Sequence, residues 1–267
     1  MCLQKINMRR ILRIFLLYSQ HALEYKWRSL VWFLVTLSES AMYLLFWRGA
    51  ILDNNSVWNL PGAVSYYLLM IIAGCLLHVH IEEEVAFEDI QLGWLSRYLT
   101  KPFSYYWIKF CQELPWRIIQ GTFGVIILCT AIAFYKFPLA KPAQYPYIAL
   151  IILFGYLLSF TYKMIVGLSA FWVTDFRGVN NLETMISLIF AGYILPLSLL
   201  PGGLREVALA GPIAHMIYYP VIAFQGNMSV LGLWKVIGAQ ILWILFFLWL
   251  YRLVWRSGLR RFTAVGQ

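Results

Sequence analysis

EEEVAFEDIQLGWLSRYLTKPFSYYWIKF, Glu82 to Phe110, is the stretch on which the fold turns. Five carboxylates (Glu82, Glu83, Glu84, Glu88 and Asp89) are followed by three bases, Arg97, Lys101 and Lys109. Long apolar runs lie on both sides, so the segment has to sit at a membrane surface. At roughly 30 residues it is too long for a simple turn and too short for a domain of its own. Its first half reads as a short helix parallel to the membrane, placed to meet a soluble partner.

Composition leads to the same class. The chain is 61% hydrophobic and only 12% charged, whereas soluble domains carry about 25% charged residues. That is the make-up of an integral membrane protein. The net charge of +9 would elsewhere suggest nucleic acid. Here no basic run is interleaved with a soluble domain, so the bases read as topology determinants and contacts to anionic membrane lipids, and nucleic acid is not an expected partner. Cys2, Cys75, Cys111 and Cys129 are scattered, with neither a metal spacing nor a disulfide framework. They read as small buried apolar residues.

Toward the N-terminus of the acidic stretch, the second span covers Ala63 to Ile81 and ends in His78 and His80. A His-x-His pair on a helix points two ways, which is poor zinc geometry, so these read as interfacial histidines. The first span, Leu30 to Trp47, contains Glu39 between Ser38 and Ser40. An ionisable group in mid-span is costly unless paired or wet, which makes Glu39 a candidate functional residue. Residues 1–27 are basic and only interruptedly apolar, and Arg13 breaks what would be a signal-peptide core. Ile11, Ile14, Phe15 and Tyr18 share one helical face, which predicts an interfacial amphipathic helix at the inner surface.

Downstream, Pro115 opens the third span, Trp116 to Phe134, and the fourth runs from Tyr147 to Val173 with Lys163 deep in it. Glu39 and Lys163 are the opposite-signed charges well inside spans. Either they meet across the bundle or Lys163 snorkels to the inner surface. The fifth span is placed at Leu182 to Leu200. From Leu195 to Asn227 the chain stays apolar, yet Pro196, Pro201, Gly202, Gly203, Gly211, Pro212 and Pro220 interrupt it. The resulting pieces, roughly ten residues each, are too short to span a bilayer. The segment 201–229 therefore reads as an outer re-entrant pair of short helices. The sixth span, Leu231 to Tyr251, leads into Arg252, Arg256, Arg260 and Arg261. Of the 21 Lys and Arg residues, 14 fall in the expected inner segments and 3 in the outer ones, which puts both ends in the cytoplasm. The expected fold is an all-α integral membrane protein: six transmembrane helices with an N-terminal interfacial helix.

This arrangement resembles the membrane subunit of an ABC-2 type transporter. EDIQLGWLSRYLTKPFSYYW, Glu88 to Trp107, resembles the family's E-x-x-x-G…L-x-K/R-P element, and LPLSLLPGGLREVALAGPIAHMIYYPVIAFQG resembles its proline-punctuated segment before the last span. The likeness covers nearly the whole chain, read as one transmembrane domain over 1–267, and is greatest to bacterial permeases of this length. It implies a half-transporter in the bacterial plasma (inner) membrane: two permeases, identical or related, on two cytoplasmic ATPase subunits, exporting a lipid, glycan or amphiphilic compound. The acidic loop 82–113 would hold the coupling helix, with Glu82, Glu83, Glu84, Glu88, Asp89 and Arg97 meeting the ATPase. ATP and Mg would be bound by the partner. No lysine here follows a glycine, so the phosphate-cradling G-x-x-x-x-G-K-[ST] loop is absent, and the chain is expected to be no enzyme and to bind no cofactor itself.

Two other classes compete. An ion-coupled secondary transporter or channel would use Glu39 and Lys163, but would show broken spans at matching places in both halves, and only one broken region is present. A membrane-embedded enzyme would need His78, His80 and Glu82 to Glu84 as metal ligands drawn from one helix end.

Overall fold

The computed structural model describes residues 8–51, 60–134 and 139–262. Cys2, residues 52–59 between the first and second expected spans, residues 135–138 between the third and fourth, and the tail over 263–267 lie outside them. Every regular element in the described residues is helical. Among the described residues, five helices are long and apolar enough to cross a membrane: α2 (Lys26–Ile51), α3 (Leu60–Leu77), α6 (Tyr105–Phe134), α7 (Tyr145–Leu168) and α12 (Val230–Leu259). Helices suit these sequences because every backbone donor and acceptor is satisfied within the segment, leaving nothing bare in hydrocarbon. Exposed Val31, Leu34, Leu45, Leu153, Leu242 and Trp249 give the bundle an apolar outer surface.

α1 (Met8–Glu24) packs along α6. Ile11, Ile14, Phe15 and Tyr18 turn inward together and Ala22 is fully buried, while Leu12, Leu16 and Leu17 stay exposed. At the heart of the bundle α7 and α12 lie side by side. Gln144 beside α7's start donates to the Met228 carbonyl at 2.9 Å, and Gly258 near α12's end abuts Phe171 beyond α7's end, so the two helices run parallel.

Three expectations are corrected. α6 begins at Tyr105, so Pro115 lies inside it rather than opening it, and the loop expected over 82–113 ends at residue 104. Buried Tyr105, Tyr106, Ile108, Cys111 and Glu113 hold this first part in helix, and packing compensates for the one hydrogen bond that proline removes.

The fifth span is not one straight helix from 182 to 200. α8 (Phe176–Phe190) starts earlier and is about 22 Å long, against a hydrocarbon core of about 30 Å. It stops where Gly192 takes a φ of 84°, in the left-handed region. α3 satisfies the released carbonyls: the Tyr66 hydroxyl donates to Gly192 O at 2.7 Å and Tyr67 to Ile194 O at 3.0 Å.

The broken segment after it holds three short helices rather than two, α9 (Gly202–Ala210), α10 (Pro212–Met216) and α11 (Tyr218–Phe224). α10 packs on α7 and α12, and α11 on α3 and α7. Gln240 of α12 donates to Ile151 O and His215 O, both at 2.9 Å. The broken backbone around α10 and α11 is thus buried in protein and supplied with partners.

Candidate functional site

The acidic stretch starts at a break in the chain over 78–80, after α3. α4 (Ile81–Glu83) runs directly into π-helical turns over Glu84–Gln91, Gly93 reverses the backbone at φ 76°, and α5 (Ser96–Leu99) follows. The break frees backbone polar groups, and α6 caps them. Arg117 donates to His78 O at 2.5 Å, Glu113 accepts from His80 N–H at 3.3 Å, and the two side chains pair at 2.7 Å. His78 Nδ1 lies 3.1 Å from the Tyr193 hydroxyl, and its ring is 4.4 Å from that of His80.

The structure divides the five carboxylates expected to meet the ATPase. Buried positions over 81–91 recur in pairs, 81/82, 85/86 and 89/90, so Glu82 and Asp89 share the inward face with Ile81, Val85, Ala86 and Ile90. Glu82 accepts from Lys163 of α7 at 2.7 Å, and the same ammonium reaches Glu183 of α8 at 2.6 Å. Ser187 donates to the other oxygen of Glu183 at 2.6 Å. Asp89 pairs with Lys109 of α6 at 2.6 Å and accepts from the Tyr105 hydroxyl at 2.5 Å. Glu84 also pairs with Lys109 and takes two hydrogen bonds from Gln112, at 2.6 and 2.7 Å. Of the remaining two, Glu83 is exposed and accepts from Asn180 of α8 at 2.9 Å, and Glu88 is exposed.

The segment is therefore clamped at both ends, by Lys163 at its start and by Lys109 at its finish. An isolated charge so deep is expensive, and each ion here survives by being paired and hydrogen-bonded. Backbone contact reinforces the first clamp. A Cβ on Gly167 of α7 would lie 2.9 Å from Glu82 O and from Val85, so only glycine lets α7 approach so closely. Tyr18 of α1 reaches the second clamp. Burial pushes its phenol up to about 12, helped by nearby Tyr98, Glu84 and Asp89 and opposed by Lys109.

The opposite side of the stretch is open. Leu92, Trp94 and Leu99 are exposed, as are Arg97 and Lys101. The Arg97 guanidinium lies 4.3 Å from the centre of the Trp94 ring. The outward surface is thus an apolar and basic ridge with Glu88 at its edge. Of the residues singled out from sequence, Glu88 and Arg97 sit on it, Glu83 beside it, and Glu82, Glu84 and Asp89 behind it.

Glu39 and Lys163 do not meet. Lys163 is held by Glu82 and Glu183, whereas Glu39 is exposed on α2, which packs on α3 and α6. Among the described residues, no hydrogen bond or ion pair engages its carboxylate. Nor do three His, Cys, Asp or Glu side chains come together there as metal ligands. In the broken segment, Pro196 and Pro201 flank the single turn Leu197–Leu199, Gly202 and Gly203 form the exposed first turn of α9, and Pro212 opens α10. Pro220 is buried in α11, 3.5 Å from where a Cβ on Gly155 of α7 would stand.

Sequence reasoning missed Glu183, Asn180, Leu92 and Trp94. Nothing local marks Glu183 as a partner, since Lys163 lies on another helix. That Glu82 and Asp89 share a face was readable: they are seven residues apart, with apolar residues at the flanking positions.

Five membrane-length helices around a clamped surface segment define a multi-pass α-helical membrane protein. Residues 37–266 match the family described as ABC-2 family transporter protein, and the chain belongs to that family of membrane transporter components. Among curated proteins no match was found.

Proposed function

We propose that this chain is the permease subunit of an ATP-driven exporter and that the ridge of Glu88, Leu92, Trp94, Arg97, Leu99 and Lys101 docks on a cytoplasmic ATPase. The observation that carries the reading is a surface segment with an exposed apolar and basic front and a back tied by buried ion pairs to α6 and α7. A segment held this way moves with its spans, so force applied by a partner closing on ATP would reach the bundle. Exposed tryptophan beside arginine also makes a suitable interface core, since tryptophan and arginine are among the residues that dominate binding energy.

A second permease, identical or related, completes the transporter in this reading. Both termini face the cytoplasm of a bacterial inner membrane, in line with the positive-inside bias. A lipid, glycan or amphiphile fits as cargo for a pathway through so aromatic a bundle. The ion-coupled alternative loses its Glu39–Lys163 pair, because Lys163 is committed elsewhere.

The test is purification of the chain in mild detergent from its native host, with ATPase activity assayed on what co-purifies. An ATPase that accompanies the wild-type chain and is lost from Trp94→Ala and Leu92→Arg variants supports the reading. A folded wild-type chain that purifies without one overturns it.

A further inference from the structure

The two clamps differ in reach. The ion pairs of Lys109 tie the acidic segment to α6 alone, while those of Lys163 tie it to α7 and continue to α8 through Glu183. Resting on the ATPase-docking reading, we infer that Lys163 is the positioning residue through which movement of the acidic segment reaches α8.

Three features support this role. First, the contacts are short and dry: Glu82, Lys163 and Glu183 are each about 5% exposed or less. Separating either carboxylate from the ammonium would leave a buried unpaired charge, so the three groups travel together. Second, the joint has slack. Two carboxylates share one ammonium, and the second oxygen of Glu82 is buried with no hydrogen-bond partner among the described residues. Lys163 carries three N–H donors, of which two are used. A second arrangement, with Lys163 moved from one Glu82 oxygen to the other, would leave the same number of unpaired oxygens as the first. Coupling between distant parts needs such an element with two discrete packings.

Third, α8 is the helix best placed to respond. It is short, ends at the left-handed Gly192, and exposes Leu182, Met185 and Ile189 along one side while Glu183 and Ser187 face inward. Its inward polar side is held at its start by Asn180 on Glu83 and then by Glu183 on Lys163. Both ties lead to the acidic segment. α8 thus hangs from that segment at one end and from the tyrosines of α3 at the other.

The experiment measures distance by electron spin resonance in the complex purified with its ATPase. Spin labels are placed on cysteines at the exposed positions Met185 of α8 and Leu242 of α12, in a background with the four native cysteines replaced by alanine. A non-hydrolysable ATP analogue with Mg is the trigger. The wild-type distance should shift on nucleotide addition, Lys163→Met should abolish the shift, and Lys163→Arg should restore it. Glu183→Leu leaves Lys163 balanced by Glu82 alone. It should keep co-purification at the wild-type level yet lose the shift, and it decides the matter if Lys163→Met fails to assemble. A wild-type response in Glu183→Leu, or a wild-type complex whose 185–242 distance ignores nucleotide, overturns the inference while leaving the docking reading standing. A wild-type chain that brings down no ATPase overturns both.

Discussion

Replacing Lys109 with methionine tests the clamp at the far end of the acidic segment. The lysine side chain is 0% exposed, and its ammonium serves Glu84 and Asp89. Methionine keeps most of the volume and removes the charge. Glu84 is 28% exposed and retains Gln112, so it can be rehydrated at little cost. Asp89, at 1% exposure, cannot. Among the described residues it keeps only the Tyr105 hydroxyl as a side-chain partner. Stripping one partner from a buried ion pair costs about 3–5 kcal/mol, and the surviving hydrogen bond to a charged group offsets roughly 1.5 kcal/mol of that. A net loss of about 1.5–3.5 kcal/mol follows, a fall in Tm of about 3–14 °C at the 2–4 °C per kcal/mol typical of chains this size. Thermal unfolding of the purified chain in one detergent reads it out. The double variant Lys109→Met/Asp89→Asn should lose at least about 1 kcal/mol less than the sum of the two single losses, because the stranded charge is gone. A single variant within 0.5 kcal/mol of wild type, or strictly additive losses, would refute the clamp.

Gly167→Ala should force α7 off the acidic segment, since its Cβ would meet Glu82 O at 2.9 Å; overpacking of this kind costs about 1–3 kcal/mol, read as a lower Tm. Gly192→Ala combines a φ of 84° with a Cβ 2.5 Å from the Tyr66 hydroxyl. It should cost at least about 1–2 kcal/mol from backbone strain alone, and a Tyr66→Phe background should relieve part of the clash but none of the strain. Glu39→Gln removes a charge that no described residue pairs with, so unfolding temperature in detergent should stay within about 1 °C of wild type. Burial lowers the pKa of His215, whose Nδ1 lies 2.8 Å from Gly211 O. Below about pH 6.5 the unfolded chain binds a proton there that the folded chain resists, so stability should fall as pH drops through that value. His215→Asn should flatten that slope, and an unchanged pH profile would count against it.

Much of the architecture was legible in the residues themselves. Runs of apolar side chains set the long helices, because a bilayer admits little else. The inward face of α1 was readable as Ile11, Ile14, Phe15 and Tyr18, since helical periodicity needs no tertiary information. Glycine and proline marked where the chain breaks after α8, though not how many pieces result. Pro115 misled, because its local preference to start a helix is outweighed by the buried residues on either side of it.

The acidic segment divides along the same line. Sequence alone determined that charge gathers between spans, that this charge lies at a bilayer surface, and that Glu82 and Asp89 fall on one face. Only the tertiary structure decided which carboxylates look outward, because that depends on cations carried by other helices. Lys109 and Lys163 lie 20 and 81 positions from the carboxylates they hold, Asp89 and Glu82. A buried charge chooses its partner by proximity in space and by the cost of leaving either ion bare, and neither is written in the neighbouring residues.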